Sequence, residues 1–153
     1  MTLPAYAAEV AVLDWRAALM NTQSAQSSLS QLESQIGGQQ REAQSLGNEL
    51  QQLQTRLQQQ GETMSQSERD ALIAELQQKG SRFEQLRREV MQAQQTSEQQ
   101  FLESAESKLE RAVEQVLERH NIDVLVEPQG VLHSSTDLPN VTNEVTQIFD
   151  SLN

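Results

Sequence analysis

The chain contains no cysteine, so it has neither a disulfide framework nor thiolate chemistry. Aromatic residues make up only 3% of it, and the 36% apolar share is thin for the core of a 153-residue globular domain. A chain that buries so little per residue suits an extended shape, or an assembly whose subunits complete one another's cores. Basic residues are scarce as well. Eleven Lys and Arg stand against 22 Asp and Glu, a formal charge of −11. That balance excludes a general nucleic-acid binder, since phosphate neutralisation needs a basic face. It also offers nothing to an anionic membrane surface. No apolar run approaches the roughly 20 residues of a membrane-spanning helix.

Recognisable catalytic constellations are missing too. The two histidines, His120 and His133, have no metal-ligand spacing around them. There is no glycine-rich phosphate loop and no Gly-x-Ser-x-Gly elbow. The expectation is a protein that is not an enzyme, with no cofactor and no metal. His120 reads as a helix C-terminal residue favoured by the dipole. Asn140-Val141-Thr142 matches a glycosylation sequon, a triplet frequent by chance.

What the sequence does have is one long helical pattern, from about residue 22 to 120. Leu29, Leu32, Ile36, Ala43, Leu46, Leu50, Leu53 and Leu57 step by threes and fours, the seam of a coiled coil, with Gln39 and Gln60 interrupting it and Met64 as its last member. Gly61 is expected to end the first helix in the left-handed conformation. Ser65-Gln66-Ser67-Glu68 fits a capping box that starts the second, so the tip lies near 61–67. The return helix carries Leu72, Leu76, Phe83, Leu86, Val90 and Ala93, with Lys79 and Ser97 at seam positions. Beyond Ser97 the stripe is displaced by about one position, through Phe101, Ala105, Leu109, Val113, Val116 and Leu117, which locally unwinds a coiled coil. Arms of about 40 residues reach roughly 60 Å. Gly37, Gly38 and Gly47 are candidate points of bending in the first arm.

Segments at both ends read differently. Glu9 to Trp15 is a β-branched run with the look of a buried strand. Ile122 to Val126 is expected as a strand, Glu127–Gly130 as a turn, and Val131–His133 as a second short strand, with a helix over Val141 to Leu152. Strands must pair, so residues near Val10 must meet those near Val124. The organisation expected is a small α/β body, 8–21 plus 121–153, and a hairpin arm, 22–120. A three-stranded sheet with one or two short helices is small to fold unaided, so the body should oligomerise, most simply as a cyclic homo-oligomer. Val10, Val12, Leu13, Trp15, Ile122, Val124 and Val126 are its candidate residues. Leu3-Pro4-Ala5-Tyr6-Ala7-Ala8 has the look of the end of a secretory signal, with Ala5-Tyr6-Ala7 as cleavage site, which leaves 1–7 outside the fold.

Several residues resemble those of a known family. Glu9-Val-Ala-Val-Leu-Asp14, then Asn121-Ile-Asp-Val-Leu-Val-Glu127, then Gly130-Val-Leu-His-Ser-Ser-Thr-Asp137 and a closing amphipathic helix are similar to the Skp (OmpH-like) periplasmic chaperones. The C-terminal segment carries most of the resemblance; the arm matches in length and helical character. The resemblance implies an α+β, mostly helical fold: a small β-rich oligomerisation body and a long coiled-coil hairpin, in a jellyfish-like homotrimer. It also implies ATP-independent holding of unfolded outer-membrane proteins in the periplasm, in a cavity between the arms. The family's arms are often basic at the tip and contact lipopolysaccharide. Here Gln60 to Val90 holds five basic and six acidic residues, and the family's arginine pair has no aligned counterpart. Lys79, Arg82, Arg87 and Arg88 cluster on the return helix and offer a weak anionic-lipid contact, but interleaved Glu84 and Glu89 make local ion pairs the simpler account.

The residues themselves also suggest holding. Met64, Phe83, Met91 and Phe101 sit on a sparse seam that one partner helix buries incompletely, and such side chains adapt to many shapes. They are the candidate client contacts. The alternative is a structural coiled-coil adaptor or spacer that binds one folded partner through a fixed face.

Overall fold

The computed structural model describes residues 7–153; the proposed signal remnant through Tyr6 lies outside them. In chain order the elements are β1 (Val10–Val12), α1 (Trp15–Met20), α2 (Gln23–Gln60), α3 (Gln66–His120), β2 (Val124–Val126), a 3-10 turn (Pro128–Gly130) and α4 (Thr142–Ser151). Two compact units result. The hairpin unit is Ser30–Glu98; the terminal unit combines the chain up to Leu29 with Gln99–Asn153.

In the terminal unit the two ends of the chain meet as parallel strands, Val10 opposite Val124 and Val12 opposite Val126. This is the pairing of Val10 with Val124 that the composition of the ends demands. The expected third strand, Val131–His133, is absent. Pro128 instead starts a 3-10 turn, in which the Gly130 N–H donates to the Glu127 carbonyl at 2.9 Å, and Leu132 is left 99% exposed. The vacant side of β1 is taken by the chain before α4. Val12 N–H donates to Pro139 O (2.7 Å), and Val141 N–H donates to Val12 O (2.9 Å). Two strands and one bridge at Asn140 therefore replace the three-stranded sheet.

The strand expected over Glu9–Trp15 is shorter as well, because Asp14 caps α1: its Oδ1 accepts the Ala17 N–H at 3.0 Å. The one expected over Ile122–Val126 begins at Val124. Asn121 adopts a positive φ of 49° and the Ile122 N–H donates to Leu117 O at 3.0 Å. That six-to-one bond past a left-handed residue is how many helices stop, and it consumes Ile122.

One core unites these pieces. Ala11 and Leu13, Ala18 and Leu19 of α1, Ala105, Ala112 and Val116 of α3, Val141 just before α4, and Val145, Ile148 and Phe149 of α4 are all buried together. The displaced stripe after Ser97 is thus the face of α3 that α1, α4 and β1 cover. Small Ala105 and Ala112 let the backbones approach, and Phe149, 2% exposed, fills the centre with the Lys108 ammonium 4.6 Å from its ring centroid. Thr22 is the buried polar residue among those described. Its hydroxyl donates to Leu19 O (2.6 Å) and accepts from the Ala25 N–H (3.1 Å), capping α2. Asp150 of α4 adds a second cap by accepting the Gln23 N–H at 3.0 Å.

The hairpin unit contains roughly 30 residues of each long helix, about 45–50 Å at 1.5 Å per residue. Its buried residues are Ile36, Leu72 and Leu86, and half-buried ones such as Leu46, Leu50, Phe83 and Val90 continue the seam at the expected spacing. The α2 helix runs unbroken through Gly37, Gly38 and Gly47. At the tip Gly61 departs from expectation, since no glycine has positive φ. Glycine is needed there for space: a β-carbon would collide with the Leu57 carbonyl oxygen. The expected capping box forms, with Glu68 N–H donating to Ser65 Oγ (3.2 Å) and Ser65 N–H to Glu68 Oε2 (2.9 Å).

Candidate functional site

The hairpin's heptad pattern leaves only one narrow seam between α2 and α3, so most of each helix faces solvent. Polar residues within that seam are joined across it. Gln39 of α2 donates to Glu89 of α3 at 2.9 Å. Lys79 donates to Glu49, with Glu75 at 3.7 Å, and Arg82 makes a two-pronged pair with Glu42 at 2.8 and 3.1 Å. Arg69 closes the tip by donating from Nε and Nη2 to the Gly61 carbonyl, at 3.1 and 2.7 Å. Gln39 and Lys79, two of the positions that interrupt the apolar run, are therefore cross-helix polar rungs.

The rungs set the titration of their members. The hydrogen bond from Arg82 holds the Glu42 carboxyl below its ordinary value, and that from Lys79 does the same to Glu49. Lys79 and Arg82 are raised in return. Glu68 is lowered by the Ser65 backbone N–H it accepts. In the terminal unit Glu144, in the first turn of α4, meets His120 and Arg119 at the end of α3, each at 2.7 Å, and is lowered chiefly by His120. Cations there also suit the negative end of the helix dipole.

The four candidate client contacts fall into different surroundings. Phe83 is a half-buried seam residue; a β-carbon placed on Gly47 of the facing helix would stand 3.5 Å from its ring. Phe101 is half-buried against the terminal unit's core. Met64 is half-buried at the tip, and only Met91 is largely exposed, at 54%. A residue that the seam pattern hides joins Met91. Ile73 is 38% exposed and precedes it by 18 residues, five whole helical turns, so both lie on one lateral face of α3. That spacing was present in the sequence but is invisible to a search for heptads.

The basic cluster is largely neutralised. Lys79 and Arg82 are in cross-helix pairs, Arg87 lies 3.7 Å from Glu84, and Arg88 is exposed. Of the candidate oligomerisation residues, Leu13 is buried. Val10, Val12, Ile122 and Val126 are half-buried, and Val124 is 43% exposed. Trp15 donates its indole N–H to Glu127 at 2.9 Å, with Arg16 stacked 5.1 Å from its ring. Among the described residues no three His, Asp or Glu side chains converge as a metal site, and no helix is long and apolar enough to cross a membrane.

A mostly helical chain with two long paired helices and a small strand-paired terminal unit defines a recognisable class of proteins. Residues 9–149 match the family described as Outer membrane protein (OmpH-like), and the chain belongs to that family. A crystal structure from Caulobacter crescentus CB15, described as a candidate outer membrane chaperone (OmpH-like), shares the fold with a TM-score of 0.59. Identity is 17%, over 99% of this chain and 89% of that one. No curated protein matches.

Proposed function

We propose that this protein is an ATP-independent holding chaperone of the Gram-negative periplasm, which binds unfolded outer-membrane β-barrel proteins and passes them toward assembly. The reading is carried by family membership across residues 9–149. Two features of the chain support it. The hairpin presents apolar Ile73 and Met91 to solvent with no partner of its own, and the sequence has no nucleotide-binding motif. Adaptable apolar contacts spread over several arms give avidity without sequence preference.

The assembly proposed is a homotrimer joined through the terminal unit, with clients in the cavity between arms. The open edge of β2, the exposed Val124 and the fully exposed Leu132 suit such a junction, since an unpaired strand edge and a bare leucine on a small unit call for cover.

Diluting several urea-unfolded barrel proteins into the purified protein and following light scattering tests the reading. Suppression of aggregation for many clients is expected. Suppression of none, with tight binding to one folded partner, would establish the adaptor instead.

A further inference from the structure

The hairpin unit carries seven basic residues against ten acidic, and the rest of the chain four against twelve. The basic residues of the hairpin are mostly occupied within it. Lys79 and Arg82 are bound across the seam to Glu49 and Glu42, Arg87 lies beside Glu84, and Arg69 is spent on the Gly61 carbonyl. That leaves Arg41, Arg56, Arg69 and Arg88 outside any ion pair among the described residues. A chain held on this surface meets apolar Ile73 and Met91, neutral glutamines such as Gln77 and Gln92, and a negative surrounding field.

We propose that the cross-helix ion pairs withdraw Lys79 and Arg82 from the client, so that the hairpin, in a net negative chain, selects neutral or basic unfolded segments by uncharged contact and disfavours acidic ones. This rests on the holding-chaperone reading and specifies its client class. Opposite charge speeds encounter and like charge rejects a partner. With three of the hairpin's seven cations in ion pairs and a net charge of −11, the chain's field disfavours an acidic client. The two cross-helix pairs therefore do two things at once: they join α2 to α3, and they neutralise two of the cations that could capture an acidic client.

The test uses one dye-labelled, urea-unfolded barrel protein in two forms, unmodified and succinylated, the latter turning each lysine cation into a carboxylate. Binding to the full chain is titrated at about 20 and about 300 mM NaCl, which span weak and strong screening. The unmodified client should change its Kd less than about threefold between the two salts. The succinylated client should bind about tenfold or more weakly at low salt and recover at high salt. A tenfold loss of unmodified-client binding on adding salt, or equal or tighter binding of the succinylated form at low salt, overturns the proposal.

A second arm uses Glu42→Gln with Glu49→Gln, which releases Arg82 and Lys79. Low-salt binding of the succinylated client should tighten by about threefold or more. No gain in a variant that keeps its helicity overturns the proposal; if the variant loses helicity, the salt arm decides. Absence of binding by either client in either salt overturns the holding reading itself, an outcome distinct from the wrong salt dependence.

Discussion

Phe83 on α3 packs against Gly47 on α2, its Cε2 atom 3.5 Å from where a β-carbon at position 47 would stand. The aromatic ring thus fills space left open by a missing side chain, and belongs to the seam more than to the surface. Phe83→Ala should cost about 1–3 kcal/mol, less than a fully buried phenylalanine because the residue is half-exposed. Met91→Ser, at a site 54% exposed, should stay within about 0.5 kcal/mol. Urea denaturation followed by circular dichroism separates them, and equal losses would place Met91 in the core. If Ile73 and Met91 grip clients, replacing both by Ser should abolish suppression of aggregation while the denaturation midpoint holds.

Gly47 and Gly61 should respond to alanine with opposite signs. At Gly47 the backbone is helical and a methyl group finds an ordinary van der Waals contact, so Gly47→Ala should stabilise by up to about 1 kcal/mol. At Gly61 the new methyl meets the Leu57 carbonyl oxygen, which already accepts the Gly61 N–H at 2.9 Å. Gly61→Ala should therefore destabilise by more than about 1 kcal/mol. Thermal melts of the two variants test this; a rise for both would mean that the tip is looser than its geometry.

The difference between these glycines marks where sequence reasoning stopped. A periodic apolar seam is a one-dimensional signal, and Ile36, Leu72 and Leu86 are buried where the spacing puts them. The Ser65–Glu68 box and the α4 face of Val145, Ile148 and Phe149 were legible for the same reason, since all their partners are near in sequence. Gly61 was legible as a stop, but its steric cause lies in the Leu57 carbonyl, which composition does not reveal. Val131–His133 has the residue types of a strand, yet Pro128 starts a 3-10 turn in place of a hairpin turn, and Asn140 makes the bridge to β1 instead. Ala112 is fully buried but too small to stand out in a hydrophobic pattern. Phe83 and Phe101, expected as client contacts, are both half-buried, Phe101 against the core, whereas Met91 and the off-seam Ile73 are exposed.

Acid should weaken the rungs of the hairpin. Glu42 and Glu49 lie below their ordinary value of 4.5 in the folded chain, because each accepts a hydrogen bond from a cation across the seam. A carboxylate lowered on folding contributes stability that is fully present above its unfolded value. The contribution is lost as pH falls through the folded value, so the window lies below about 4.5. Acid also relieves the repulsion of a −11 chain, so the comparison must be with Glu42→Gln plus Glu49→Gln, which shares that relief. The stability advantage of the natural chain should be full at about pH 6 and shrink as pH falls below about 4.5. A gap that stays constant over that range would remove any role for these pairs.

Thr22 offers the sharpest test of the terminal unit. It is fully buried, and its hydroxyl satisfies two backbone groups at once, the Leu19 carbonyl at 2.6 Å and the Ala25 N–H at 3.1 Å. One side chain therefore ends α1 and starts α2, while Asp150 covers the neighbouring Gln23 N–H from 127 residues away. Thr22→Val keeps the shape and removes both side-chain bonds, leaving the buried Ala25 N–H unpaired and the Leu19 carbonyl with the Thr22 N–H alone, which should cost about 1–3 kcal/mol. Thr22→Ser keeps the hydroxyl and should recover most of that loss, since serine caps as well as threonine. Native-state hydrogen exchange should show the Ala25 amide losing protection in the valine variant and keeping it in the serine variant. Equal stability of all three chains would mean that Asp150 alone suffices to begin the helix.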